Sequence, residues 1–234
     1  MRLAIMQPYF FPYIGYWQLI HAVDKFVIYD DVQFTKKGWF HRNRLLFNNK
    51  VEYFSINLKK DSDYLDVRDR YISPVYFEKE MPKILRKIAQ SYSKAPYFHN
   101  VYPLIKGILE YDSNNLFDYL YNSIKSLSNY IGIDTEFIIS STLPVSSELK
   151  NKWRIFKICE YLNIYDYLNP IGGKELYKKE EFKENNVNLN FIKTLPIEYE
   201  QKSTDFFPNL SIIDVLMFNS IKSVKNLLNN YVLD

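Results

Sequence analysis

Short apolar runs and polar stops alternate over the first 31 residues in the order strand, helix, strand. Residues 3–6 are apolar and stop at Gln7, a helix is predicted to begin near Ile14, and the second apolar run, 26–29, stops at Asp30 and Asp31. This order is typical of the start of an open α/β sheet. Ligands bind such sheets beyond the carboxyl ends of the strands. The pattern therefore predicts that Gln7 and Asp30 lie at a small-molecule site.

The pattern then changes from alternating to helical. Two alternating stretches, 44–47 and 52–58, flank an Asn-rich segment and predict a β-hairpin. Beyond Pro74, apolar residues at helical spacing predict helices over 78–94, 98–111 and 115–131, the last of which ends near Gly132. We therefore expect residues 74–132 to form a helical insertion.

The sheet pattern returns after residue 132. Apolar runs predict strands at 136–139, 165–168 and 189–192, and helices are predicted over 151–162 and 211–229, with Ser211 as the N-cap of the latter. Right-handed crossovers should make the main strands parallel. The predicted fold is α/β, with an open, mostly parallel, Rossmann-like sheet, a β-hairpin and a helical insertion, in one domain of residues 1–234.

Parallel strands would bring their polar exits to one edge of the sheet. That edge would collect Gln7, Asp30, Asp31, Ser140, Ser141, Asn169, Gly172 and Gly173. Asp30 alternates with Phe26 and Ile28, which predicts partial burial and a shifted carboxyl pKa suited to a general base or a ligand for an amine. The alternative is that Asp30 or Asp31 caps the following turn.

The segment 33–43 is dense in groups that bind anions and rings. Lys36, Lys37 and Arg42 are candidates to hold a diphosphate, Trp39 to stack on a base or a sugar, and His41 to transfer a proton near neutral pH. The alternative is an exposed basic loop whose Trp folds back on the core. Glycines such as Gly172 and Gly173 let a backbone approach a phosphate closely, although such pairs also mark plain turns.

Composition narrows the function classes. A net charge of +3 does not argue for nucleic acid. The one cysteine, Cys159, excludes a disulfide within the chain and fits a reducing compartment. The three histidines lie far apart, so no metal site is predicted. With no leader-like N-terminus and no apolar run long enough to span a bilayer, we expect a cytoplasmic protein without a membrane span or a DNA partner.

Several of these residues together resemble the opening motif of the WbqC-like protein family. The likeness continues through Cys159, Gly172 and Gly173 and the segment 210–214, and so covers essentially the whole chain. The residues of the opening motif are Gln7, Pro8, Tyr9, Pro12, Gly15, Asp24, Asp30, Val32, Gln33, Phe34, Lys37, Trp39, Arg42 and Asn43. The family is associated with O-antigen, lipopolysaccharide and other surface-polysaccharide gene clusters, and some members carry a glycine transferase label.

The resemblance implies a transferase that N-acylates an amino sugar with glycine, another amino acid or a small acyl group. On this hypothesis the acceptor would be a free or nucleotide-linked amino sugar, and the donor would be an adenylate made in place from ATP with Mg, an aminoacyl-tRNA or a carrier-protein thioester. Asp30 or His41 is the candidate base. The candidate substrate-binding residues are Gln7, Gly15, Gln33, Lys36, Lys37, Trp39, Arg42, Asn43, Gly172 and Gly173. The alternative is a non-catalytic sugar-binding or scaffolding protein of polysaccharide assembly.

A second likeness concerns the nucleotidyltransferase-like α/β enzymes that adenylate carboxylates, such as pantothenate synthetase. Those enzymes use a His-x-Gly-His signature, and the matching stretch here, 12–16, contains no histidine. The likeness implies a related fold without the same adenylation chemistry.

Overall fold

The computed structural model describes residues 1–47, 49–149, 151–203 and 205–234. In these residues a six-stranded sheet has the order β5-β2-β1-β6-β7-β8, and all neighbours are parallel except β7 and β8. A separate antiparallel hairpin is formed by β3 and β4. The strands are β1 (Arg2–Met6), β2 (Lys25–Ile28), β3 (Arg42–Phe47), β4 (Lys50–Ser55), β5 (Glu136–Ile139), β6 (Asp166–Pro170), β7 (Asn188–Thr194) and β8 (Tyr231–Leu233).

The helices up to residue 162 follow the predicted positions closely. The Asn115 side chain accepts a hydrogen bond from the Asp118 N–H at 3.1 Å, and Gly132 ends the same helix with a positive φ of 76°. The helices are α1 (Ile14–His21), α2 (Met81–Tyr92), α3 (Phe98–Leu109), α4 (Leu116–Ile131), α5 (Lys152–Leu162), α6 (Lys179–Glu184), α7 (Ile212–Phe218) and α8 (Ile221–Leu228). The predicted fold class, a mostly parallel α/β sheet with a hairpin, is confirmed.

The predicted C-terminal helix over 211–229 is wrong as a single helix. Ser211 caps a helix as expected, but that helix ends at Phe218, and Asn219 has extended backbone angles. Ser220 then caps a second helix by accepting from the Ser223 N–H at 3.1 Å. Asn and Ser side chains compete with the helical backbone for hydrogen bonds, which explains the break. Both α6 and β8 were too short to show a period in the sequence.

Both faces of the sheet are covered by helices. Alternate residues of β1 point to opposite faces, so Ala4 joins one hydrophobic cluster and Leu3 and Ile5 join the other. The larger cluster contains α1, the hairpin, α2, α3, α4, α7 and α8, whereas α5 and α6 pack on the smaller one. The helices of 74–132 thus share a core with the sheet, and their description as an insertion into one domain stays a prediction.

The connections reverse direction between β1 and β6. From β1 the chain passes through α1 to β2 on one side, and from β6 it passes through α6 to β7 on the other. The two strands pair only at Arg2 with Asp166 and at Leu3 with Tyr167. They therefore separate toward their carboxyl ends, and the crevice at such a switch point is where open α/β sheets bind ligands.

Candidate functional site

A cleft of about 340 Å³ opens at the switch point between β1 and β6. Its floor is Met6 at the end of β1 and Pro170 at the end of β6, and its walls come from the loop after β1, the first turn of α1 and the hairpin. The residues that line it are Met6, Tyr9, Pro12, Tyr13, Gly15, Tyr16, Trp39, Asn43, Arg44, Pro170 and Asn209. The volume is at the lower end of the range for small-molecule pockets.

The loop after β1 is held in place by side chains from three other elements. The buried Asn43 amide donates to the carbonyls of Phe10 and Phe11, both at 2.9 Å. The Ser211 hydroxyl also donates to the Phe11 carbonyl, at 2.8 Å, and the Trp17 indole donates to the Pro12 carbonyl at 3.0 Å. These bonds hold Phe11 in a left-handed conformation with φ 45° and fix one wall of the cleft.

Three tyrosines give the cleft an aromatic lining that carries hydroxyl groups. Tyr16 donates to the Gln7 carbonyl at 2.9 Å, and Tyr9 donates to the Gln7 side-chain oxygen at 3.3 Å. Burial, together with the neighbouring Tyr13, raises the pKa of Tyr9 to about 12, and burial also raises the pKa of Tyr13. Near neutral pH these groups therefore act as neutral hydrogen-bonding partners and not as bases.

Gly15 leaves room for the Tyr13 ring against the start of α1. A Cβ atom at Gly15 would lie 2.5 Å from Tyr13 Cε2 and 2.7 Å from the Thr194 hydroxyl oxygen. Both distances are shorter than atomic contact permits, so a larger residue would displace a wall of the cleft. Gly15 thus shapes the site by its lack of a side chain.

At the mouth of the cleft, the outer face of the hairpin carries two rings and two guanidinium groups. The Trp39 and Tyr53 rings are stacked, with centroids 6.3 Å apart and an interplanar angle of 22°. Arg42 lies 5.2 Å from the Tyr53 ring centre, and Arg44 lies 5.7 Å from that of Trp39. Arg42 and Arg44 share this face because alternate residues of a strand point the same way. Among the described lining residues of the cleft, Arg44 is the one with a positively charged side chain.

The other predicted anion-binding residues lie outside the lining of the cleft. Lys36 pairs with Asp63 at 2.8 Å on the exposed surface. The Arg42 guanidinium donates to the carbonyls of Lys37 and Gly38, at 2.7 and 3.3 Å, and so holds its own loop. Gln33 donates to the Asp63 carbonyl at 2.9 Å. Most of the polar side chains of this basic segment thus hold the segment and the neighbouring loop in place.

His41 lies behind this segment, with its ring edge-on to Phe34 at 5.3 Å between centroids. Burial, and then the charges of Arg42 and Arg70, lower the pKa of His41 to about 4. Its Nδ1 atom is buried without a hydrogen-bond partner. The imidazole is therefore neutral at pH 7 and is a weak proton acceptor there.

The two aspartates after β2 bind side chains that follow β5. Asp30 accepts from the Ser140 hydroxyl at 2.8 Å, the Ser141 hydroxyl at 2.6 Å and the Ser141 N–H at 2.9 Å. Asp31 pairs with Arg154 of α5 and also contacts the Ser140 hydroxyl. Burial alone would raise the pKa of Asp31, but the hydrogen bonds from Arg154 and Ser140 outweigh it, so its pKa is lowered. The structure thus places Asp30 at the predicted edge but not in the lining of the cleft.

The paired glycines after β6 differ from one another. A Cβ atom at Gly173 would lie 1.8 Å from the amide nitrogen of Asn169, whereas one at Gly172 would meet nothing within 4 Å. Gly173 is therefore required by the buried Asn169 side chain, and Gly172 is open to solvent. Close packing is a sufficient reason for Gly173.

Among the predicted substrate-binding residues, the structure brings Gly15, Trp39 and Asn43 together around the cleft. Sequence reasoning missed Tyr13, Tyr16, Arg44 and Asn209 as lining residues. Arg44 stands two residues after Arg42 in an alternating stretch, which was a usable signal for a shared face. Nothing in the sequence pointed to Asn209, because its position depends on how the segment before α7 docks on the hairpin, where the Ser211 N–H donates to the Arg44 carbonyl at 3.0 Å.

A model of the WbqC-like protein family matches residues 7–226. The chain belongs to the WbqC-like protein family. The matched range includes every lining residue of the cleft except Met6. This WbqC-like protein is also 25% identical over 221 residues to a protein of Mycobacterium tuberculosis (strain ATCC 25618 / H37Rv), with 93% of each chain covered. That relative is named uncharacterized protein Rv1507c. No solved structure matches the chain.

Two negative findings concern the described ranges of this WbqC-like protein. In residues 1–47, 49–149, 151–203 and 205–234, no helix has the length and apolar character that a membrane crossing requires. The same ranges contain no cluster of three or more His, Cys, Asp or Glu side chains arranged to hold a metal ion.

Proposed function

We propose that this WbqC-like protein is a cytoplasmic transferase of surface-polysaccharide biosynthesis that N-acylates an amino sugar. The observation that carries the proposal is the cleft at the switch point, whose size suits one sugar ring. Aromatic faces such as those of Tyr9 and Trp39 pack against the apolar side of a sugar, and tyrosine hydroxyls bond its hydroxyl groups. The acyl group is glycine, another amino acid or a small acid, as the family resemblance implies.

The reaction joins the amino nitrogen of the sugar to the acyl carbonyl carbon. The new C–N bond replaces the bond from that carbon to the leaving group of the donor, and the amine gives up a proton. Attack requires a neutral amine, so a base must stand near the nitrogen. Asp30 is the better placed of the two predicted bases. It follows β2, the direct neighbour of β1, and the Tyr29 N–H donates to the Met6 carbonyl at 2.9 Å. His41 is the less suited candidate, because burial lowers its pKa to about 4.

The alternative is a non-catalytic protein that binds or presents a sugar during polysaccharide assembly. Two observations favour it. The described residues that line the cleft include no carboxylate, imidazole or thiol. In addition, Asp30 already accepts three hydrogen bonds from Ser140 and Ser141. A protein of this kind would bind the sugar through the same cleft without turnover.

A mass-spectrometric assay distinguishes the two. Purified protein is mixed with amino sugars, free and nucleotide-linked, with glycine and other amino acids, and with Mg-ATP. A parallel arm adds charged tRNA, and another adds a carrier protein loaded with an acyl thioester. A mass gain that matches an acyl group supports the transferase, and the arm in which it occurs identifies the donor. Sugar binding without a mass gain in any arm supports the alternative.

Variants assign the base within the same assay. If Asp30 removes the proton, Asp30→Asn keeps ligand binding and loses turnover about 100-fold or more. Asp63→Asn is the matched control, because Asp63 is exposed and pairs only with Lys36 in the described residues. Full turnover by a folded Asp30→Asn variant would remove Asp30 from the mechanism and leave His41→Gln to be tested in the same way.

A further inference from the structure

The hairpin face beside the cleft has the features of a second binding surface. We define the hairpin platform as Trp39, Arg42, Arg44 and Tyr53. Its two rings are nearly parallel, and the Tyr53 side is open to solvent, with 56% of that residue exposed. Trp39 and Arg44 also line the cleft, so the platform and the cleft are continuous. A ligand in the cleft that is longer than one sugar ring would extend over the platform.

Arg44 is the cation at the junction of these two surfaces. Its terminal nitrogen Nη2 donates to the Asn209 carbonyl at 3.1 Å, and its Nε atom is buried without a hydrogen-bond partner. Among the described residues, no carboxylate lies within ion-pair distance of Arg44, whereas Lys36 and Arg154 each have one. A guanidinium that lacks a carboxylate at the mouth of a cleft is suited to bind an anionic group of a ligand, and its planar fork matches phosphate.

We propose that the hairpin platform binds a nucleoside diphosphate, with the diphosphate at Arg44 and the base against the Trp39 and Tyr53 rings. This inference rests on the proposed function, and it assigns the substrate to the nucleotide-linked class. The size of the cleft supports it, because about 340 Å³ suits a single sugar ring and leaves a nucleotide outside. Aromatic rings beside guanidinium groups hold bases of any sequence through stacking and cation–π contacts.

The assignment of the anion to Arg44 differs from that predicted for the basic segment. Lys36 is engaged by Asp63, and the donors of Arg42 are directed at the carbonyls of Lys37 and Gly38. Arg42 therefore contributes to the platform through the flat face of its guanidinium beside Tyr53, and not through hydrogen bonds to the ligand. Besides Trp39, the platform therefore depends on Arg44 and Tyr53, neither of which stood among the predicted substrate-binding residues.

Calorimetric titration of the full chain with UDP, ADP, uridine and inorganic pyrophosphate tests the proposal. We expect UDP or ADP to bind at least tenfold more tightly than either uridine or pyrophosphate, because only the nucleotide uses both parts of the surface. Loss of a base-stacking ring costs about 5- to 150-fold in affinity, which is expected for Trp39→Ala and Tyr53→Ala. Arg44→Ala should cost about 10- to 100-fold for UDP and leave uridine binding unchanged.

Two matched controls separate the platform from general surface effects. Tyr64→Ala removes a tyrosine that is 84% exposed on another loop, and Arg86→Ala removes an exposed arginine of α2. Neither should change nucleotide affinity. Tyr53→Phe keeps the ring and should retain binding. Equal binding of pyrophosphate and UDP, or full UDP affinity in Tyr53→Ala and Trp39→Ala, would overturn the proposal.

Two sources present this chemistry, a nucleotide-linked amino sugar and ATP. Competition separates them: displacement of UDP by a UDP-linked amino sugar but not by ATP assigns the platform to the acceptor, and the reverse assigns it to an activating nucleotide. Acylation of a free amino sugar without any nucleotide binding would overturn this inference and leave the proposed function standing. Nucleotide binding through the platform without acylation in any arm would overturn the proposed function and leave this inference standing.

Discussion

Two neighbouring parts of one sheet edge differ in how their polar groups are used. After β2 and β5, the side chains of Asp30, Ser140 and Ser141 satisfy one another, and Asp31 is paired with Arg154. After β1 and β6, the strands separate, and the lining groups face an open cleft. A cluster of reactive side chains is therefore weak evidence of a site when its members are each other's partners, and a less conspicuous set around a cavity is stronger evidence.

The largest effect on stability is expected after β2 and β5, where the polar side chains are each other's partners. The Asp31 and Arg154 side chains are only 4% and 5% exposed. Asp31→Ala leaves an arginine buried without its ion pair and should lower the free energy of unfolding by about 3–5 kcal/mol. Urea unfolding measures this loss. A matched Asp63→Ala variant breaks an exposed pair and should show no measurable change.

The same pair should have a defined pH dependence. The pKa of Asp31 is lower in the folded chain than the ordinary value of an aspartate. The contribution of Asp31 to the free energy of unfolding is therefore complete above the ordinary pKa, and it is lost as the pH falls through the folded-state pKa. The stability gap between wild type and Asp31→Ala should therefore shrink below about pH 4. An unchanged gap at pH 3 would contradict the assignment.

A smaller loss of stability, together with a loss of ligand binding, is expected at the cleft between β1 and β6. Asn43→Ala removes the donors to the Phe10 and Phe11 carbonyls, and the Phe11 carbonyl keeps the hydroxyl of Ser211. Leaving a buried carbonyl unpaired should cost about 1–3 kcal/mol. Because the loop after β1 forms a wall of the cleft, ligand affinity measured by titration should fall as well. Wild-type affinity in Asn43→Ala would show that the loop keeps its shape without this amide.

The glycine pair after β6 provides a matched comparison within two residues. Gly173→Ala forces a methyl group against the Asn169 amide and should destabilise the fold by about 1–3 kcal/mol, as overpacking does. Gly172→Ala adds a methyl group in open space and should change stability little. Thermal unfolding of the two variants checks this. Equal melting temperatures would indicate that Asn169 moves aside at little cost.

At neutral pH the smallest effect is expected at His41, which belongs to neither part of the sheet edge. Its pKa of about 4 in the folded chain lies below the ordinary 6.5, so the unfolded chain binds the proton more readily between these values. Stability should therefore fall as the pH is lowered from 6.5 to 4, and His41→Phe should reduce that slope. Urea unfolding at several pH values measures it, with His99→Phe, at an exposed position, as the control. Identical slopes in wild type and His41→Phe would refute the lowered pKa.

Much of the fold was predictable from local pattern. The strands β1, β2 and β5 and the helix α4 with its end at Gly132 were predicted within a few residues, because apolar period and helix-stop residues are local signals. The break of the C-terminal helix at Asn219 was missed, since the helical period continues across it. The residues of the site were harder to predict, because Arg44 and Asn209 come together only through the docking of the hairpin and of the segment before α7.

Local sequence pattern is sufficient to predict that this chain builds a parallel α/β sheet, that polar residues follow its strands, and that Asp30 and Asp31 stand at the exit of β2. Apolar periodicity and strand-end chemistry carry that information because both are properties of neighbours in the chain. Which of those polar groups remain available to a ligand is set by long-range packing and cannot be read from local pattern. Availability depends on partners more than a hundred residues away, as in the pairing of Asp31 with Arg154, and on the separation of β1 from β6.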